Sequence, residues 1–91
     1  MTSILSHATA SLADGVNDYA RGYDAGKKAG ATVAVGTLFR GAMGYADHYA
    51  GSTKACRETA AWQGACNGYL DGLAATKVTV DAKGIVISVE L

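Results

Sequence analysis

Apolar residues recur at spacings of three and four from the start of the chain. Leu5, Ala8, Leu12, Val16, Tyr19, Tyr23 and Gly26 make one stripe, and His7, Ser11, Asp14, Asp18 and Arg21 make a polar stripe opposite it. That period is the mark of an amphipathic helix. It predicts a helix over about residues 3–29, capped by Thr2 or Ser3 and stopped by a basic turn, Lys27 and Lys28, and by Gly30. A second stripe of Val35, Leu38, Ala42, Tyr45 and Tyr49 predicts a helix over 33–50, entered through Thr32 and closed by Gly51. Within it, the β-branched residues of 33–39 would also suit a strand. A third stripe, Ala55, Thr59, Trp62, Cys66, Tyr69 and Leu73, predicts a helix over 53–75 that opens at Ser52 or Thr53.

After Thr76 the period changes from helical to alternating. Val78 and Val80 flank Thr79, and Ile85, Ile87, Val89 and Leu91 alternate with Val86, Ser88 and Glu90. Between the two runs, Asp81 can open a type I turn and Gly84 can take positive φ, which reads as a β-hairpin over 77–91. The expected fold is therefore α+β: a single domain over 1–91, three helices and a C-terminal antiparallel hairpin.

Composition changes how tightly these elements must meet. Among 91 residues there are 18 Ala and 12 Gly, against 17 Leu, Ile, Val and Phe together. A domain this small has little apolar surface to bury, so its helices are expected to approach one another unusually closely. The net charge is zero, and only Lys27 and Lys28 stand adjacent as a basic pair. That speaks against direct nucleic-acid binding, which draws on a basic face. Met1–Ala10 has neither the basic start nor the apolar run of a signal peptide. The longest near-apolar stretch, 29–39, is about half of the roughly 20 residues that a membrane span needs. No membrane partner and a cytoplasmic location are the expectation.

Three segments combine glycine with aromatic residues in a similar way, namely Tyr19 to Asp24, Phe39 to Asp47 and Trp62 to Asp71. Glycine inside a helix costs about 0.5–1 kcal/mol relative to alanine, so repeated helical glycines imply a steric demand that offsets it. In one reading Gly22, Gly41, Gly44, Gly64 and Gly68 let helices pack closely. In the other, the small residues form a groove rimmed by Tyr23, Tyr45, Tyr49 and Tyr69 that receives a partner, tyrosine being a frequent interface anchor. Val86 and Ser88, on the outer edge of the last strand, are further candidates for partner binding, because an unpaired strand edge accepts a second strand; a homodimer joined through this edge is the first expectation, and a strand from a foreign chain the second.

Candidate chemistry is sparse, and no catalytic, cofactor-binding or metal site is assigned. Asp47 and His48 are adjacent on a helix and diverge by about 100°, so they cannot act as an acid–base pair. His7, Asp14 and Asp18 are too widely spaced to hold a metal. Cys56 and Cys66, ten residues apart in one predicted helix, would be separated by about 15 Å, too far for a disulfide. Both are expected to be free thiols packed as small hydrophobes.

The run Arg21-Gly22-Tyr23-Asp24-Ala25-Gly26-Lys27, in a short Ala- and Gly-rich chain, resembles the small accessory proteins of bacteriophages, among them anti-defence proteins of the anti-CRISPR kind. The resemblance covers mainly the first helix, carries over no functional residue, and implies stoichiometric blocking of a surface on a host defence complex. The sequence thus leads to a non-catalytic protein-binding module without cofactor. A structural or assembly subunit of a phage or bacterial complex is the alternative, and a small enzyme comes third.

Overall fold

The computed structural model describes residues 2–91, with side chains described from Asn17 onward. The sequence features placed on Leu5 to Val16 and on His7, Ser11 and Asp14 lie outside the described side chains. The fold is α+β and mostly helical. Among the described residues it has four helices, α1 (Thr2–Ala31), α2 (Gly41–Ala50), α3 (Lys54–Arg57) and α4 (Ala60–Leu73), then strands β1 (Lys77–Val80) and β2 (Val86–Glu90).

Contact between α1 and α4 dominates the helical layer, and glycine makes it possible. An added Cβ at Gly22, Gly26 or Gly30 would lie 2.5 Å or closer to the carbonyl oxygen of Ala61, Ala65 or Tyr69, respectively. In return, one at Gly64, Gly68 or Gly72 would overlap the carbonyl oxygen of Tyr19, Tyr23 or Lys27. Each glycine therefore aims the hydrogen that stands in place of Cβ at a facing carbonyl, the geometry of a Cα–H···O contact. Partner numbers rise together on both helices, so the helices run parallel. A parallel pair obliges the chain to travel back between them. From Ala31 to the level of Gly22 is about 14 Å along the axis, and the ten residues of α2 cover about 15 Å.

Two predicted helices come out differently. The second begins at Gly41 and not near residue 33. Gly36 (φ +91°) and Gly41 (φ +72°) both adopt the left-handed backbone that ends or prevents a helix. The intervening segment runs along the hairpin instead, with Leu38 bridging Ile85. Gly41 thus starts a helix and is no packing site. An added Cβ at Gly44 would meet only Cβ of Arg40, at an ordinary 3.5 Å.

The third predicted helix is two helices. Thr53 caps α3 by accepting from the Cys56 N–H at 3.1 Å. Thr59 donates to the Cys56 carbonyl at 2.6 Å, closing α3, and accepts from the Trp62 N–H at 3.2 Å, opening α4. Its extended backbone (φ −82°, ψ 154°) takes it out of the inward stripe. Gly30, expected to stop α1, lies within it on the α4 seam. Thr32 ends that helix by donating to the Lys28 carbonyl at 2.9 Å.

The hairpin turn forms as the sequence predicts. Asp81 Oδ1 accepts from the N–H groups of Lys83 and Ile85 at 2.8 and 3.0 Å, and Gly84 has φ +82°. Lys77, Val78 and Thr79 pair with Glu90, Val89 and Ser88, after which a bulge sets Val80 against Val86. Among the described residues no strand Cα comes within 8 Å of a helix Cα. Val86 is buried at 1 % exposure, whereas Ile87 is 53 % exposed and Val89 36 %. The apolar face that carries Ile87 and Val89, opposite Val78, is turned to solvent.

Candidate functional site

The core is small: Ala46, Trp62, Ala65, Tyr69 and Val86 are the buried apolar residues among those described. Asp47 pins three helices around it. Its Oδ1 accepts from Trp62 Nε1 at 2.8 Å and Arg57 Nε at 2.9 Å, and its Oδ2 lies 2.7 Å from an Arg57 terminal nitrogen. The fork–carboxylate geometry is bidentate. Hydrogen bonds from Arg57 and then Trp62 hold the Asp47 carboxyl below the ordinary carboxylate range. Asp47 is thus a fixed structural anion that points away from any role with His48.

Three of the four candidate tyrosines gather together. Tyr45 stacks on Tyr69 with ring centres 5.5 Å apart and on Tyr49 at 6.2 Å. Tyr69 is buried at 3 % exposure and forms a floor, whereas Tyr49 stands 40 % exposed at the edge. Tyr23 belongs to the other flank. Its hydroxyl donates to Asp71 Oδ2, and it stacks on Tyr19, whose own hydroxyl accepts from Asn67 Nδ2 at 3.0 Å. That hydrogen bond to a carboxylate raises the Tyr23 phenol. These polar links tie α1 to α4 along the side of the glycine seam. At Gly22, Gly64 and Gly68 the small-residue groove is filled by the facing helix, so these three glycines act in packing, whereas Gly41 and Gly44 do not.

The candidate strand edge is partly closed by the chain itself. Val86 donates to the Thr37 carbonyl at 2.8 Å, and its carbonyl accepts from Gly36 at 2.9 Å. Phe39 donates to the Gly84 carbonyl at 2.9 Å. At Val86, then, no edge is left for a second strand, because residues 36–39 occupy it. Ser88 is half-buried and pairs with Thr79.

Beneath the same segment lies a cleft of about 280 Å³, walled by Ala29, Val33, Leu38 and Tyr45, floored by Tyr69, with Arg40 and His48 on it. It brings together residues that the sequence scatters over forty positions. Of these, only Tyr45 and Tyr69 were candidates from sequence; Arg40 and His48 carry no local signal that pairs them. Cys56 and Cys66 are free. Burial pushes the Cys66 thiol up, which keeps it protonated. Among the described residues no three of His, Cys, Asp and Glu gather to hold a metal, and no helix is long and apolar enough to cross a membrane.

Compared with protein-family models, curated proteins and solved structures, the chain matches none of them.

Proposed function

We propose that this protein is a non-catalytic protein-binding module that works by occupying a partner's surface. The observation that supports this reading is the uncovered apolar face of the hairpin. In a chain so short of bulky residues, Ile87, Val89 and Val80 are left 53, 36 and 40 % exposed. Exposed apolar clusters of this kind mark interaction surfaces. The finer statement, that the partner is a host defence complex blocked stoichiometrically by a phage protein of the anti-CRISPR type, rests on the resemblance at Arg21–Lys27 alone.

The test is affinity capture from a bacterial lysate with wild-type bait and with Ile87→Lys, followed by mass spectrometry. One host machine recovered by wild type and lost with Ile87→Lys supports inhibition. Virion components lost with the same variant point to the assembly subunit. Capture that is indifferent to Ile87→Lys removes the hairpin face from the argument. The same face suits a second copy of this chain, and light scattering at high micromolar concentration tests the homodimer.

A further inference from the structure

We propose that the cleft between the end of α1, the 33–40 segment and α2 binds a carboxylate borne on a short apolar stem. This goes beyond the protein-binding reading, because it concerns a different surface and a ligand defined by its charge.

The lining is one-sided in its chemistry. Arg40 and His48 contribute nitrogen donors, and neither Asp nor Glu lines the cleft. Among the described residues the one ion pair is Arg57 with Asp47, so the Arg40 guanidinium has no carboxylate of its own. A guanidinium presents a planar fork that matches a carboxylate with two parallel hydrogen bonds.

Tyr69 adds a neutral O–H donor. It is 3 % exposed, it lines the cleft, and the Gly41 backbone N–H lies near its hydroxyl. Burial, above all, raises its pKa, so it remains an O–H donor at neutral pH. The first turn of α2 begins beside it, and Arg40 at the N-cap position makes no side-chain capping bond. The helix start therefore adds its unpaired N–H groups and positive dipole end to the same place.

The other walls decide what the anion is attached to. Ala29, Val33, Leu38 and the Tyr45 ring offer hydrocarbon, and the two threonines on the lining, Thr32 and Thr37, already donate their hydroxyl protons to the carbonyls of Lys28 and Ala34, so the walls suit an aliphatic stem and suit a bare, strongly hydrated phosphate poorly. A volume of about 280 Å³ lies just under the range of drug-sized pockets, so the guest has a few carbons. A free organic acid and an acidic side chain of a polypeptide share this chemistry.

The experiment is amide NMR titration of the whole protein with butyrate, butyramide, the capped peptide acetyl-Ala-Glu-Ala-amide and inorganic phosphate. Saturable shifts at Gly41 and Ala42 are expected with butyrate or with the peptide, and none with butyramide. The tighter of the two carboxylates identifies the source, free or peptide-borne. Arg40→Gln is expected to weaken binding at least tenfold, Arg40→Lys less, and Tyr69→Phe several-fold. Thermal midpoints are recorded alongside, and Arg40→Lys, which keeps the charge but loses the fork, serves if Arg40→Gln fails to fold. Phosphate binding as tightly as the carboxylates, butyramide matching butyrate, no saturable shift with any probe, or full affinity in the Arg40 variants would each overturn the proposal.

Discussion

Along the α1–α4 seam six glycines bring two backbones into contact over about three turns, whereas at the hairpin β-branched side chains that could fill a core stand in solvent. Gly68 is buried against the Tyr23 backbone, and Ile87 is 53 % exposed. The comparison separates cohesion from bulk. Where side chains are absent, closeness supplies dispersion contacts and Cα–H···O pairs. Where side chains are present, the backbone hydrogen bonds of residues 36–39 hold the hairpin and leave its apolar face available.

Breaking the seam has the largest expected effect. Gly68→Leu places side-chain atoms where the Tyr23 carbonyl lies, and it is expected to lose about 3 kcal/mol or more despite the better helix propensity of leucine. Urea denaturation measures it; unchanged stability would mean that the helices are not in backbone contact. On the hairpin side, Val86→Pro deletes the bond to Thr37 in a buried setting, and a loss of about 2 kcal/mol is expected in the same assay.

Asp47→Asn sharpens the contrast, because it loosens the helices without touching either region. A fall of a few degrees in thermal midpoint at neutral pH is expected. The folded carboxyl is held below its ordinary value, so its stabilisation is complete above the unfolded carboxyl pKa near 4 and fades as pH falls from there. The gap between wild type and variant should therefore close in acid. The smallest effect is a change of sign. Gly44→Ala, with only an ordinary contact in its way, is expected to gain about 0.5–1 kcal/mol, and a loss there would extend close packing to α2.

Local signals in the sequence predicted local structure. Asp81 and Gly84 gave away the turn, Gly51 the end of α2 and Thr53 the start of α3, because each acts on residues within a few positions. The seam was half legible. Gly22, Gly64 and Gly68 stood out beside tyrosines, but the stronger signal is the four-residue spacing of Gly22, Gly26 and Gly30 repeated at Gly64, Gly68 and Gly72. Two such ladders of equal length predict each other. The break at Thr59 was hidden because a threonine fits a helical stripe as well as a cap, and only the backbone decides between them. The Asp47–Arg57–Trp62 cluster and the Arg40–His48–Tyr69 cleft depend on the path of the chain between helices, which no periodicity encodes. The exposed face of β2 has no local signal, because it depends on a bulge that leaves Ile87 unpaired between the pairs Thr79–Ser88 and Val80–Val86.

Because α1 and α4 run parallel, their meeting is a long-range event. Gly26 meets Ala65 across 39 positions, much as parallel strands meet only after a crossover. Closing such a loop costs entropy before any contact forms, and it rises with the logarithm of loop length. Contacts between distant parts of a chain slow folding relative to antiparallel bundles with short turns. The seam also gives nothing until both ladders are in register, since a slip of one residue sets methyl groups or larger side chains against carbonyl oxygens. The tightest joint in this protein is thus a late and all-or-none step in its assembly. In stopped-flow refolding, Gly-to-Ala changes along the seam should speed unfolding far more than they slow folding.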